Sequence, residues 1–297
     1  MQIAPLLQTL RPPFLVLTPA CVLLGYASAH SMQVQVEPAL LLAVFAAALF
    51  AHISVNTLNE YHDFTSGLDL QTQRTPFSGG SGALPDHPEL APAVLYTGLL
   101  SLGVVILAGA WFLYLRGLVL LPAGLTGLLV VVTYTRWLNR SPWLCLLAPG
   151  LGFGLLMVIG SHFVLTGAIS AVPVTAALVP FFLVNNLLLL NQYPDIEADA
   201  NTGRNHFPIA YGTAAANAVY GLSAAAAGAT LLLGVRYELL PGLALAALAP
   251  LALAFLALAG AVRHHGNIGR YPLYLAANAG AAVLTPCVLG VALLAAG

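Results

Sequence analysis

The chain has 297 residues, of which 60% are hydrophobic and only 6% are charged, and its formal net charge is −1. Soluble domains carry roughly 25% charged residues, so this composition excludes an ordinary water-facing surface. The near-zero net charge gives no sign of a nucleic-acid partner, and none is expected. Three cysteines in separate apolar stretches form neither a metal-binding spacing nor a disulfide framework. We expect residues 1–297 to form a single all-α integral membrane domain.

Apolar stretches long enough to span a membrane, about 20 residues each, recur along the whole sequence. Lipid cannot satisfy backbone polar groups, so helices are the expected form. The first stretch resembles a signal peptide, but Pro19 interrupts it and only Arg11 precedes it, so we expect an uncleaved helix. Nine spans are predicted: 13–30, 38–59, 91–114, 117–135, 142–167, 173–193, 213–234, 240–262 and 271–295.

Charged residues are distributed unevenly between the two sides of this topology. If the N-terminus is cytoplasmic, seven of the nine arginines face the cytoplasm, and only Arg116 and Arg236 face outward. The positive-inside rule therefore favours that orientation, in the cytoplasmic membrane. Eight of the ten carboxylates lie in two segments on the same side, 60–89 and 195–199. Solvent-exposed loops carry charge in any case. These carboxylates, however, begin at helix ends and are spaced with asparagines, and this pattern indicates a functional site.

The first constellation lies at the end of the second predicted helix. Asn59 and Asp63 stand four residues apart, and Asn56 stands three residues before Asn59, so all three share one helical face if the helix continues. Gly67 can end the helix and allow Asp69 to turn back toward that face. The pattern predicts several oxygen ligands at one helix end.

The second constellation follows the sixth predicted helix and repeats this spacing. Asn191, Asp195 and Asp199 stand four residues apart. Two facing carboxylate stripes would repel each other unless cations lay between them, and Mg²⁺ is usually held by one or two carboxylates together with substrate phosphate. Arg74 and Arg204, each downstream of a stripe, are candidates for binding that phosphate. The sequence therefore predicts a magnesium–diphosphate site.

A transporter is the alternative from another class, because acidic residues within membranes often mark ion pathways. These acids, however, are predicted at helix ends and in loops. The run Thr75–Gly82 contains three glycines and is expected to cover the site, where its backbone N–H groups can approach phosphate. A flexible linker is the simpler interpretation of that run taken alone.

The two motifs and the nine predicted helices resemble the UbiA superfamily of intramembrane prenyltransferases, over nearly the whole chain. Asn59, Asp63 and Asp69 match its first motif, with Glu60 in place of the usual Asp, and Asp195 and Asp199 match its second. The five-residue gap between Asp63 and Asp69 is similar to the dihydroxynaphthoate (menaquinone) branch. The third cytoplasmic segment departs from the family pattern, because Arg140-Ser-Pro replaces the usual Arg-Gly and an acid is missing.

The resemblance implies nine helices around a central cavity with a cytoplasmic cap of Asp-rich loops. It also implies Mg²⁺-dependent transfer of a polyprenyl group from a prenyl diphosphate to an aromatic acceptor, nearest 1,4-dihydroxy-2-naphthoate, in quinone biosynthesis. Hydroxybenzoate, homogentisate, a tetrapyrrole or a glycerol phosphate are alternative acceptors. The implied metal ligands are Asn59, Asp63, Asp69, Asp195 and Asp199; the implied diphosphate contacts are Arg74, Arg204, Arg140 and Asn59; the implied catalytic residues are Asp63, Asp195 and Tyr134.

Several residues beside the motifs remain open to two interpretations. Glu60 either binds metal through water or faces solvent, and Glu197 is expected to be solvated because it points away from Asp195 around a helix. His62 and His206 are expected at the surface, although each could act as an acid or base. Asn56 and Asn191 are either ligands or helix-end hydrogen-bonding groups. His52 and His162 are expected to be packing residues, and Asn185 and Asn186 either join helices or contact the acceptor.

Overall fold

The computed structural model describes residues 3–72 and 74–297, and the described chain is built from helices. In the described part of the chain, a short N-terminal helix, Ile3–Thr9, precedes nine longer helical segments. These segments include short 3₁₀ turns and are named here in chain order: α1 Pro12–His30, α2 Pro38–Thr65, α3 Pro88–Arg116, α4 Leu118–Thr133, α5 Pro142–Thr166, α6 Ala171–Asn201, α7 Phe207–Arg236, α8 Gly242–Arg270 and α9 Pro272–Ala296.

Eight of these segments are long and apolar enough to cross a membrane, which makes the chain an integral, multi-pass membrane protein. The exception is α4, which coincides with the predicted span 117–135 but is shorter than the other eight. Three segments run well beyond their predicted C-terminal ends: α2, α6 and α8, the last of which ends at Arg270 instead of residue 262. Helix α2 runs on to Thr65 instead of residue 59, and α6 runs on to Asn201 instead of residue 193, so both Asp motifs lie on helical extensions.

Proline and glycine mark many of the helix boundaries. Pro38, Pro142 and Pro272 each open a helix, where the missing backbone N–H costs no hydrogen bond. Gly67 follows α2 with φ +77°, a left-handed conformation that ends the helix. Gly212 interrupts α7 with φ +79° and ψ +165°, so this segment is two helices joined at a kink.

Helix α6 lies at the centre of the largest apolar core and packs against α1, α5, α7 and α9. Buried hydrogen bonds fasten it to the last third of the chain. Asn186 Nδ2 donates to the carbonyl of Tyr220 at 2.9 Å, and the Tyr220 hydroxyl donates to Asn278 Oδ1 at 2.8 Å. Asn278 Nδ2 returns to the carbonyl of Leu187 at 3.2 Å. These contacts join α6, α7 and α9, which assigns Asn186 to helix association.

Helix α5 approaches α6 closely through glycines. A Cβ added to Gly154 would lie 2.4 Å from the Phe181 backbone, so only glycine fits there. Asn185 Oδ1 accepts a hydrogen bond from Gly150 N at 2.6 Å, which assigns Asn185 to helix association as well. Beside this contact, residues Leu151–Met157 adopt π-helical turns, a distortion common near functional sites.

Candidate active site

The first motif lies at the end of α2 and in the turn that follows. Asn59 and Asp63 line a cavity on one face of the helix, as their spacing predicts. Gly67 ends α2, and Asp69 follows in a 3₁₀ turn, Leu68–Leu70, where its side chain is buried and lines the same cavity. The predicted return of Asp69 toward the helix end is therefore confirmed.

The second motif lies at the end of α6. Asp195 stands in a 3₁₀ turn, Tyr193–Asp195, and caps the short helix Ile196–Asn201, which carries Asp199. Asn191, Asp195 and Asp199 all line the cavity that the first motif lines. The ends of α2 and α6 therefore meet on one side of the molecule, as the paired motifs predict.

The cavity has a volume of about 430 Å³, with a polar head and a long apolar body. Its head carries both motifs together with Arg11, Tyr134, Asn139, Arg204 and His206. Its body continues along α2 as far as Val44, which lies about 22 Å from Asn59 at 1.5 Å per residue. The body is lined by residues of α1 to α6, including Leu17, Ala48, Phe112, Gly124, Phe153 and Val164.

Arg204 joins the two motifs. Its guanidinium forms an ion pair with Asp63 and a second one with Asp199, for which Nη1 and Oδ1 are 3.0 Å apart. Burial opposes the charge of Arg204, but the two carboxylates outweigh it and raise the pKa of Arg204 above its ordinary value. His206 Nε2 donates to the other Asp199 oxygen at 3.0 Å. Asp199 is thus held on both sides.

Four buried oxygen atoms in the head have no hydrogen-bond partner among the residues that the structure describes: Asp69 Oδ2, Asn139 Oδ1, Asn191 Oδ1 and Asp195 Oδ1. Buried polar atoms without a partner are costly, and such atoms are rare unless an ion or water serves them. Burial, reinforced by the neighbouring Asp63 carboxylate, raises the pKa of Asp69 to about 7. Carboxylate and amide oxygens that lack a partner are suited to a hard divalent cation, whose charge would favour the ionised carboxylates, so this donor set fits Mg²⁺.

The sequence family follows from a comparison of the whole chain. Residues 16–271 match the UbiA prenyltransferase family. The chain belongs to the UbiA prenyltransferase family. A 1,4-dihydroxy-2-naphthoate octaprenyltransferase of Bacillus subtilis (strain 168) is 31% identical over 214 residues, which cover 69% of this chain and 65% of that protein. The aligned part therefore spans just under two thirds of the length of this relative.

Solved structures of UbiA homologues share the fold. A homologue from Archaeoglobus fulgidus, bound to DMAPP and Mg²⁺, superposes with a TM-score of 0.67 at 16% identity, over 98% of this chain and 99% of that chain. The apo structure of a homologue from Aeropyrum pernix K1 gives a TM-score of 0.71 at 19% identity, over 94% of this chain and 97% of that chain.

In this UbiA family member an arginine lies among the carboxylates. Within residues 3–72 and 74–297, no group of three or more His, Cys, Asp or Glu side chains has the geometry to hold a metal ion. The guanidinium of Arg204 pairs with both Asp63 and Asp199 and so lies between the two motifs.

Two of the predicted phosphate-binding arginines lie away from the cavity lining. Arg74 is exposed, pairs with Asp86 at 3.5 Å between Nη1 and Oδ2, and packs across Gly82. Arg140 is exposed in the turn Leu138–Arg140. Of the predicted arginines, only Arg204 lines the cavity, and it is joined there by Arg11. No role in the site was predicted for Arg11, although its position directly before Pro12, at the start of α1, was a signal in the sequence.

Two expectations about residues beside the motifs are wrong. Glu60 neither faces solvent nor lines the cavity; it is fully buried, and Arg11 Nε lies 2.6 Å from its Oε1. His206 is buried, because Asp199 binds its ring, and is not at the surface. Asn56 lines the cavity, and its Nδ2 donates to the carbonyl of Leu10 at 2.9 Å, directly after the helix Ile3–Thr9, which agrees with the helix-end hydrogen-bonding interpretation.

Other expectations about neighbouring residues are confirmed. Glu197 is exposed, as its position around the helix predicts. His52 and His162 are packing residues with buried partners: Nδ1 of His52 lies 2.8 Å from Thr18 Oγ1, and Nδ1 of His162 lies 2.8 Å from Ser28 Oγ. His52 also lines the apolar body of the cavity, where it packs edge-on against Phe153.

Proposed function

We propose that this protein transfers a polyprenyl group from a prenyl diphosphate to an aromatic acceptor, in a reaction that depends on Mg²⁺. The observation that carries the proposal is the shape of the cavity, which joins two Asp motifs and two arginines to a long apolar body. A prenyl diphosphate matches this shape, because its charged diphosphate fits the polar head and its apolar tail fits the body. Soluble phosphate ligands need no such body, which favours a lipid substrate.

The acceptor that we propose is 1,4-dihydroxy-2-naphthoate or a close analogue, and the reaction then belongs to menaquinone-type quinone biosynthesis. The support is the Bacillus subtilis relative, which is a 1,4-dihydroxy-2-naphthoate octaprenyltransferase. The structure of the Archaeoglobus fulgidus homologue bound to DMAPP and Mg²⁺ supports the donor and the metal. Hydroxybenzoate, homogentisate, a tetrapyrrole and a glycerol phosphate are the competing acceptors within the family.

We assign metal binding to Asn59, Asp63, Asp69, Asp195 and Asp199. A divalent cation at these oxygens supplies Lewis-acid stabilisation of the charge that develops on the leaving diphosphate. Arg204 and Asn59 bind the diphosphate. Tyr134 lies at the head of the cavity, where its ring can face the allylic cation or its hydroxyl can donate to phosphate. Arg74 and Arg140 would have to move to make a phosphate contact.

The apolar body excludes water from the reacting carbon of the prenyl group, so the allylic cation reacts with the acceptor before water can quench it.

We propose that residues 1–297 form one domain with nine spans, α4 among them. In this topology the N-terminus and the Asp motifs lie on the cytoplasmic side of the cytoplasmic membrane. The support is the excess of arginine on that side.

Purified protein with a labelled prenyl diphosphate and a panel of acceptors tests the proposal. We expect transfer to a dihydroxynaphthoate that requires Mg²⁺. Asp63→Asn or Asp195→Asn should lower turnover at least about 100-fold, since a cation contributes several kcal/mol to the barrier. Glu197→Gln, which changes an exposed carboxylate beside the second motif, is the matched control and should keep wild-type turnover. No transfer to any acceptor, together with substrate uptake into liposomes, would instead support a transporter.

A further inference from the structure

We propose that Glu60 is a positioning residue, which holds the N-terminal segment and the Gly-rich loop (residues 75–82) together beside the head of the cavity. The ion pair and hydrogen bonds through which it does so are called the clasp. It stands where the family's first motif has an Asp, but its carboxylate binds protein groups only. The proposal rests on the proposed function for its effect on metal binding, whereas the clasp itself can be tested without any activity.

The first half of the clasp is an ion pair with Arg11. Arg11 Nε lies 2.6 Å from Glu60 Oε1, and the Glu60 side chain has no exposed surface. Arg11 is a non-glycine residue with φ +53°, a conformation that persists only when surrounding contacts hold it. Asn56 supports the same segment through its hydrogen bond to the carbonyl of Leu10. The start of α1 is therefore anchored to the end of α2.

The second half of the clasp holds the Gly-rich loop. The Ser81 amide donates to Glu60 Oε1 at 2.8 Å, and the Ser81 hydroxyl donates to Glu60 Oε2 at 2.7 Å. Both oxygens of Glu60 are therefore occupied by protein donors. A metal ion would have to displace a buried arginine or two hydrogen bonds, so Glu60 is unsuited to be a ligand.

The clasp acts on the metal site through Gly80. A Cβ added to Gly80 would lie 2.9 Å from Asp69 Oδ1, so the loop backbone packs directly on that carboxylate. Ser78, Gly79 and Gly80 line the head of the cavity together with Asp69. Because Ser81 follows Gly80, the two hydrogen bonds to Glu60 fix the loop where it supports Asp69. Residues that orient metal ligands in this way commonly change metal affinity 10–100-fold when lost.

Substitutions of Glu60 can separate the effect of its side-chain length from the effect of its charge. Glu60→Gln keeps the length and an oxygen for the Ser81 amide, but it leaves Arg11 without a counter-charge. Combining Glu60→Gln with Arg11→Met removes the charge pair and leaves neither charge buried alone. Glu60→Asp keeps the charge but is too short to reach Ser81 in the same way. Glu60→Ala removes both contacts, and Glu197→Gln is the matched control for loss of a carboxylate.

The experiment measures amide exchange at Ser81, thermal unfolding in detergent micelles, and the Mg²⁺ dependence of unfolding. We expect Glu60→Ala and Glu60→Asp to raise the exchange rate at Ser81 about tenfold or more, and Glu60→Gln with Arg11→Met to leave it near the wild-type rate. Glu60→Gln alone should lower the unfolding midpoint by roughly 5–10 °C, and adding Arg11→Met should restore at least half of that loss. The control should resemble wild type throughout.

The apparent Mg²⁺ affinity distinguishes a positioning residue from a ligand. We expect it to fall about tenfold in Glu60→Ala and to change less than threefold in the Glu60→Gln, Arg11→Met double variant. Unchanged Ser81 exchange in Glu60→Ala would overturn the clasp, and loss of the Mg²⁺ response in the double variant would make Glu60 a ligand instead. Absence of any Mg²⁺ response in the wild-type protein would count against the proposed function, while Ser81 exchange and the stability cycle would still decide the clasp.

Discussion

The guanidinium of Arg204 pairs with the carboxylate of Asp63, although 141 residues separate them in the sequence. The same group pairs with Asp199, so one arginine bridges both motifs. Its positive charge lies between carboxylates that would otherwise repel each other. If Mg²⁺ binds these carboxylates, as we propose, Arg204 competes with the metal for them and turns toward phosphate when the metal binds.

The first prediction follows from this competition. Arg204→Gln should bind Mg²⁺ about tenfold more tightly than wild type when no diphosphate is present, because the competing cation is gone. The same variant should bind a prenyl diphosphate more weakly, because a phosphate contact is lost. Isothermal titration with Mg²⁺ and then with inorganic diphosphate measures both effects. Arg263→Gln, at an exposed position on α8, is the control, and a weaker Mg²⁺ affinity in Arg204→Gln would contradict the competition.

The second prediction concerns metal removal. Mg²⁺ binding should stabilise the folded protein, because the buried oxygens of Asp69 and Asp195 that lack a hydrogen-bond partner acquire one. Thermal unfolding in detergent should show a higher midpoint with millimolar Mg²⁺ than with EDTA, and Asp195→Asn should reduce that difference. An equal response to K⁺ at the same ionic strength would point to general screening of charge and not to a site.

The third prediction tests the close contact between α5 and α6. Gly154→Ala should lower the unfolding midpoint by several degrees, because its new Cβ would lie 2.4 Å from the Phe181 backbone. Gly152→Ala is the matched control on the same helix, since an added Cβ there meets no heavy atom within 4 Å. Circular dichroism melts of the two variants provide the comparison. Similar losses at both positions would mean that helix propensity, and not the contact, sets the effect.

The fourth prediction concerns the tail of the substrate. Gly124 lines the body of the cavity, about 15 Å along α4 from Tyr134, and an added side chain would project into open space. Gly124→Leu should therefore raise the KM for long prenyl diphosphates about tenfold and leave that for short ones unchanged. Gly103→Leu, at a glycine of α3 outside the lining, is the control. A uniform loss for all chain lengths would argue against a tail-binding role for this part of the cavity.

Local spacing predicted the parts of this site that depend on one helix. Asn59 and Asp63 stand four residues apart, and a helical repeat fixes their common face. Partners that are distant in sequence could not be predicted in this way. Arg11 and Glu60 are 49 residues apart, and the burial of Glu60 depends on the folding of the Gly-rich loop over it. The position of His206 likewise depends on Asp199 accepting its ring N–H.

The membrane spans were predictable because hydropathy and helix length are set by the bilayer itself. Their exact ends were not, because both motifs continue as helix or 3₁₀ turns into polar sequence. The contacts of Arg74 could not be predicted from its place in the sequence either. Its place after the first motif suggested a phosphate contact, but the left-handed turn at Gly82 brings Asp86 within reach and the arginine packs outward.

Among the described residues, those that line the cavity all precede Phe207. Helices α7 and α9 lie outside the lining and are joined to α6 by buried amide and hydroxyl groups, and α8 packs against α7 and α9. The helices that line the cavity and the helices that support them are thus separate stretches of one polypeptide. Substitutions in the last three helices should alter the stability of the protein to heat and detergent. The product that the protein forms should instead depend on the first six helices. A chimaera that exchanges those six helices with those of a relative should acquire the product range of the donor.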